Sequence, residues 1–155
     1  MTKPIPDGYH SLTPSFTFKD SQKAIDFYKK VFQAKVVDIF PNPTGHGIMH
    51  AALQIGDSMF MMGDEMGENC KSAQTLGGSP ISLFLYVPNV DAAFKQAIAA
   101  GCTEVMPVAD MFWGDRAGSL TDPFGYRWMI ATHTRDLTKE QIRKSAEAFF
   151  AGMAK

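Results

Sequence analysis

One order of elements, strand-helix-strand-strand-strand, runs twice through this chain, and it limits the fold more than any other feature. Thr13 to Phe18 aligns with Ser82 to Val87 at an offset of 69, and at the same offset Gly56 meets Gly125 and Met59 meets Trp128. One residue slips in the helix-to-strand connection, where Phe32-Gln33-Ala34 faces Ala100-Gly101-Cys102. Connections absorb such slips better than strands do. A duplicated unit of mixed strands and helices predicts an α+β fold of two βαβββ modules, with curved mixed sheets around a cavity.

The periodicities support each copy. SLTPSFTF, Ser11 to Phe18, alternates as a half-buried strand does. Ser21 to about Phe32 reads as a helix, with Asp20 or Ser21 as cap and Ala24, Ile25, Phe27, Tyr28, Val31 and Phe32 as its apolar face. Lys35–Phe40, Ile48–Ile55 and Ser58–Met62 read as strands, the last two joined by a Gly56-Asp57 turn. Gly63 to Pro80 is polar and long for a loop, so it reads as a mobile or linking segment. In the second copy Ile81–Val87 is a strand, Asp91 to about Ala100 a helix, and Glu104–Val108 a strand. Trp113–Gly118 reads as a loop before a hairpin of Ser119–Asp122 and Tyr126–Thr132. Thr138 and Gln141 form a capping box for a last amphipathic helix. The expected organisation is one domain over 1–155, with modules at about 9–67 and 80–135 and a C-terminal helix at about 138–153.

Strand alternation also sorts the faces. The richer apolar parity is expected under the helices: Phe16, Phe18, Met49, Ala51, Leu53, Met59 and Met61, then Leu83, Leu85, Val87, Trp128 and Ile130. The other parity is expected to line the concave side. It comprises Thr13, Ser15, Thr17, His50, Ala52, Gln54, Phe60 and Met62, then Ser82, Phe84, Tyr86, Ser119, Thr121, Arg127 and Met129. Apolar walls with a few polar groups are how small-molecule sites are built.

Composition excludes other classes. The 15 Lys and Arg against 16 Asp and Glu among 155 residues leave no basic excess for a nucleic-acid partner. No apolar run approaches the roughly 20 residues of a membrane span, and the first ten residues lack a signal peptide's apolar stretch. Cys70 and Cys102 form no CxxC pair, which fits reduced thiols in a cytoplasmic protein.

Three stretches carry a family resemblance: IDFYKKVFQAKVV from Ile25, HAALQIGDSMFMMGDE from His50 and FWGDRAGSLTDPFGYRWMIATH from Phe112. Together they resemble the vicinal oxygen chelate superfamily, of glyoxalase, bleomycin-resistance and dioxygenase type, and within it the PhnB-like subgroup. The resemblance implies paired βαβββ modules, usually in a homodimer. It also implies four metal-ligand positions, which fall here on Thr13, Phe60, Ser82 and Met129. None is an imidazole or a carboxylate, the donors a divalent cation prefers. No cofactor is therefore expected, and a divalent metal only through non-standard ligands such as His50 with Asp64 or Glu65.

The expected ligand-contacting residues are His50, Gln54, Phe60, Met62, Ser82, Phe84, Trp113, Arg116 and Met129. His50 offers an imidazole to a ligand carboxylate, Trp113 an indole to a planar ring, and Arg116 a fork to an anion. Each has a plainer alternative: a hydrogen-bonded strand histidine, a core plug, and an Asp115–Arg116 pair pinning a loop. Asp64 and Glu65 read as a solvated rim, the methionines as core filler, and His10, His46 and His133 as residues without a role. Three functions stay open: a binder of a small organic molecule, a lyase, isomerase or dioxygenase using a displaced metal or acid–base groups, and a structural dimer.

Overall fold

The computed structural model describes residues 2–153, so residue 1 and residues 154–155 of the expected domain lie outside the described part. Two compact units result. One is the chain up to Pro80 together with Phe124–Tyr126, and the other is Ile81–Pro123 together with the chain from Arg127 onward. The first contains β1 (Ser15–Phe18), α1 (Ser21–Phe32), β2 (Lys35–Pro41), β3 (Ile48–Ile55), β4 (Ser58–Asp64) and the short α2 (Ala73–Leu76). The second contains β5 (Ser82–Tyr86), α3 (Val90–Ala99), β6 (Thr103–Asp110), β7 (Asp115–Thr121), β8 (Arg127–His133) and α4 (Lys139–Met153). The sheet orders are β1-β4-β3-β2 and β5-β8-β7-β6. In both, the outer first strand runs parallel to the last and the remaining pairs are antiparallel.

The duplication extends to the helix starts. Asp20 caps α1 by accepting from the Lys23 N–H, and Asn89 caps α3 by accepting from the Ala92 N–H. A side chain from the last strand then takes the first helical N–H: Asp64 Oδ1 from Ser21 at 2.6 Å and Thr132 Oγ1 from Val90 at 2.9 Å. Each satisfies a donor that has no partner inside the helix.

The structure corrects the phase of β4. Ile55 pairs with Ser58 and Leu53 with Phe60. A two-residue turn makes cross-strand partners of opposite parity, so Phe60 and Met62 join Ala51, Leu53, Phe16 and Phe18 beneath α1. Met59 and Met61, expected there, lie on the other face. The repeat offset explains the error. Ser15 pairs with Met61 and Phe84 with Met129, a step of 69 in the first strands (84 − 15) but 68 in the last (129 − 61). The slip after the helix persists to the end of the module, and the match of Gly56 to Gly125 joins two turns of different length.

The first unit's core is aromatic. Phe18, Tyr28, Phe60, Phe124 and Tyr126 meet edge to face at centroid distances of 5.3–6.0 Å. The Tyr126 hydroxyl accepts from Thr17 N–H at 3.2 Å and donates to Thr17 C=O at 2.6 Å, which occupies part of the free edge of β1. In the second unit α3 packs on Leu120, Trp128 and Ile130. A Cβ on Gly118 would stand 2.8 Å from the Phe94 ring, so the absent side chain sets how closely α3 approaches.

Three boundaries differ from expectation. β1 begins at Ser15, leaving Leu12 87% exposed, because Pro14 cannot donate to a ladder. The stretch from Gly63 to Pro80 holds the end of β4, a Met66–Cys70 bridge and α2. The expected Trp113–Gly118 loop is mostly strand, since β7 starts at Asp115. The capping box forms, with Thr138 N–H to Gln141 Oε1 at 2.8 Å and Gln141 N–H to Thr138 Oγ1 at 3.2 Å, and α4 lays Phe149 and Phe150 against Phe112. Among the described residues no helix is long and apolar enough to cross a membrane.

Candidate functional site

With one face of each sheet under a helix, the opposite faces hold the accessible chemistry. In the first unit that face presents Ser15, Thr17, His50, Ala52, Gln54, Met59 and Met61. His50 is half-buried with its ring 6.1 Å from Phe40, and Thr17 Oγ1 lies 3.3 Å from Cys70 Sγ. Gln54 stands opposite Met59. Nothing on this face gathers into a charged cluster.

The second unit is different. Register places Ser82 beside Arg127, Phe84 beside Met129, Tyr86 beside Ala131, Asp115 opposite His133 and Ser119 opposite Met129, all on the helix-free face. Its floor is Met111, Ala117 and Ala131, with Met106, Trp113 and Met129 packed against them. At one end sits Asp115, only 2% exposed. Three ring donors converge on its carboxylate. Trp113 Nε1 donates to Oδ2 at 2.9 Å, Tyr86 Oη donates to Oδ2 at 3.0 Å, and His133 Nδ1 lies 2.7 Å from Oδ1. The other ring nitrogen of His133 reaches Asp136 at 3.1 Å. A buried carboxylate needs such partners, because an unpaired one is strongly destabilising.

These contacts set the protonation states. Burial pushes the Asp115 carboxyl upward, but the hydrogen bonds from His133, Trp113 and Tyr86 outweigh it and hold the group below its ordinary range. The Asp115 and Asp136 carboxylates raise His133. Burial and the Asp115 charge raise Tyr86, which keeps its hydroxyl a donor.

The nine expected contact residues separate. Ser82, Phe84, Trp113 and Met129 share this second face, and His50 and Gln54 share the first unit's face. Phe60 and Met62 are buried under α1. Arg116 projects to the α3 side, where its guanidinium holds Asp91 at 2.7 and 2.9 Å and Asp110 at 3.2 Å. The expected Asp115–Arg116 pair does not form, because adjacent strand residues point to opposite faces. Sequence reasoning missed Asp115 and His133. His133 shares the parity of Met129, so carrying the β8 alternation two positions further would have placed it.

The carboxylates considered for a metal are otherwise engaged. Asp64 accepts from the backbone of Ser21 and Ile48 at 2.6 and 2.8 Å. Glu65 accepts from the Ser72 hydroxyl and N–H, and the hydrogen bonds from Ser72 and Thr75 pull it down to about 2. Asp115 and Asp136 hold opposite nitrogens of one imidazole and so do not converge. Among the described residues no group of three His, Cys, Asp or Glu side chains is arranged to hold a metal ion. By register Met61, not Phe60, is the equivalent of Met129, so the position that the resemblance implies on β4 moves from Phe60 to Met61.

Comparison with known proteins adds the lineage. A family model described as the Glyoxalase/Bleomycin resistance protein/Dioxygenase superfamily matches residues 12–130. An uncharacterized protein of Mycobacterium bovis is 36% identical over 137 residues, covering 86% of this chain and 90% of that one. The crystal structure of TioX from a Micromonospora species superimposes with a TM-score of 0.63 at 26% identity, over 80% of this chain and 98% of that one. A PhnB protein from Bacillus cereus, described as a putative 3-demethylubiquinone-9 3-methyltransferase, gives 0.64 at 20% identity over 79% and 99%.

Proposed function

Since the chain belongs to the Glyoxalase/Bleomycin resistance protein/Dioxygenase superfamily, we propose that it binds a small planar organic molecule on the helix-free face of its second sheet, without a metal cofactor. One observation carries the reading. Phe84 and Tyr86 are 48% and 60% exposed, lie 5.1 Å apart and stand on a strand whose inward neighbours are half-buried. Exposed rings held at fixed positions make a stacking surface at little entropic cost. The Asp115 carboxylate fixes Trp113 and Tyr86 from below, so the wall is built before a ligand arrives. The hydroxyl and thioether donors at the four superfamily positions support the metal-free form of this reading.

Acid–base catalysis is the second reading, and the Asp115–His133 contact favours it. It requires Asp136 to release Nε2, since an imidazole held at both nitrogens cannot accept a proton. The same proposal takes the protein as a cytoplasmic homodimer whose partner is the small molecule, not nucleic acid or membrane. The exposed Val36, Val37, Ile39 and Phe40 of edge strand β2 support the dimer.

Titration with fused-ring aromatics tests the binding reading. Trp128 is buried, bonded to Asp122 and on the α3 side, so ligand-dependent fluorescence changes report on Trp113. Saturable quenching that Phe84→Ala weakens is the expected result. Absence of saturation by every fused-ring compound up to millimolar concentration, or turnover abolished by His133→Gln, would overturn it.

A further inference from the structure

We propose that the preferred ligand is a planar organic cation, a quaternised or protonated nitrogen heterocycle, stacked on Phe84, Tyr86 and Trp113. This rests on the binding reading above and adds the sign of the ligand's charge. Two of the three rings donate a hydrogen bond to the same buried carboxylate oxygen, at 2.9 Å from Trp113 and 3.0 Å from Tyr86. Hydrogen bonds to an ionised acceptor are the strong ones, and they polarise the donor. Electron density moves into the indole and the phenol, and their faces become more negative. A cation over such a face is attracted by the ring quadrupole, which here is enlarged. Phe84, tilted 34° to Tyr86, extends the surface.

Direct ion pairing does not explain the preference, because Asp115 is enclosed and its charge acts through the rings. Other charged groups flank the cluster. His133 and Arg135 stand against Asp115 and Asp136, and Arg135 spends a guanidinium N–H on the Met111 carbonyl at 3.2 Å. Lys139, the first residue of α4, follows this group on the chain. Arg127 is on the same face, about 20 Å from His133 at strand spacing but diagonal to Phe84, so it borders the Phe84 end of the surface and not the end where Tyr86 and Trp113 meet Asp115. An anion therefore meets no uncommitted imidazolium, since both His133 nitrogens face carboxylates. A neutral arene stacks without the electrostatic gain.

Three probes of matched ring size test this: N-methylquinolinium, 1-naphthylmethanol and 1-naphthoate, each titrated by Trp113 fluorescence and calorimetry. The expected order is cation, neutral, anion, with the cation bound about fivefold more tightly than the neutral probe. Asp115→Asn should bring the first two to within about twofold. Should that variant fail to fold, Tyr86→Phe keeps the exposed ring, removes one bond to the carboxylate and should lower the ratio of cation to neutral-probe affinity, which is the quantity read. Equal binding of all three probes, or a preference that survives both substitutions, overturns the inference and leaves the binding reading standing. Failure of all three to bind overturns both.

Discussion

Asp64 is a candidate metal ligand by residue type, but the structure gives it a different task that a denaturation experiment can measure. Its two oxygens accept from two backbone N–H groups, Ser21 at 2.6 Å and Ile48 at 2.8 Å. Ser21 is fully buried and Ile48 is 6% exposed, so water cannot replace the carboxylate. Leaving a buried donor unsatisfied costs roughly 1–3 kcal/mol. Two such donors predict a loss of about 2–6 kcal/mol for Asp64→Ala, or a fall in melting temperature of about 4–24 °C for a chain of this size. Asp64→Asn separates this account from a generic loss of charge. An amide offers one acceptor oxygen and turns an NH2 towards the second N–H, so the isosteric change should cost nearly as much as alanine. Thr132→Val, which releases the Val90 N–H and the Val87 carbonyl that the same hydroxyl serves, should cost a comparable amount. The assay is equilibrium unfolding in guanidinium followed by far-UV circular dichroism, because both tryptophans lie in the second unit. A midpoint shift at constant slope is the readout. A loss below about 1 kcal/mol for Asp64→Ala, or an Asp64→Asn as stable as the parent, would refute the reasoning.

The Asp115–His133 pair should give stability a two-sided pH profile. Asp115 sits below its ordinary 3.8, so its contribution is present above that value and lost as pH falls through the lowered one. His133 sits above its ordinary 6.5, so its contribution is complete below 6.5 and lost as pH rises through the raised value. Melting curves from pH 3 to 9 should show both limbs, and His133→Gln should remove the alkaline one; an unchanged alkaline limb contradicts the assignment. Arg116→Ala should alter probe affinity by less than twofold and stability by about 0–1 kcal/mol, because its ion pairs are on the α3 side and partly exposed; a tenfold loss of affinity would return Arg116 to the binding face. Light scattering should give twice the chain mass, and Ile39→Lys with Phe40→Asp on β2 should lower it; a monomer at 100 µM in the parent protein would refute the dimer.

Much of the fold was legible because alternation and capping are local. Asp20, Thr138 with Gln141, and the alternation through β3, β5 and β8 were readable within windows of a few residues. The phase of β4 was not, although the Gly56-Asp57 turn contained the answer: two residues between strands force partners of opposite parity. The apparent repeat between glycines overrode that local rule. The candidate site was half legible for the same reason. Phe84 and Met129 followed from period-2 spacing. The convergence of Asp115, His133 and Tyr86 depends on the register of two strand pairs, Asp115 with His133 and Tyr86 with Ala131, and register across a five-residue turn is not carried by composition. Taking Asp115 as a loop residue removed it from the parity argument altogether.

The carboxylates near the last strands share a condition that bears on function. Asp64, Glu65 and Asp115 each accept at least two hydrogen bonds from the chain itself. A divalent cation that took both oxygens of Asp64 or Asp115 would have to displace those donors. At Asp64 that exposes two buried N–H groups, and at Asp115 it releases the indole and the phenol from the oxygen that fixes them. The energy gained from one carboxylate does not offset losses of that kind where no group of three His, Cys, Asp or Glu side chains converges among the described residues. Asp115 is the one of the three that accepts from aromatic side chains on the helix-free face, so its charge acts through the rings presented there. A carboxylate too enclosed to touch a ligand still acts on it when the groups bonded to that carboxylate are the rings the ligand touches.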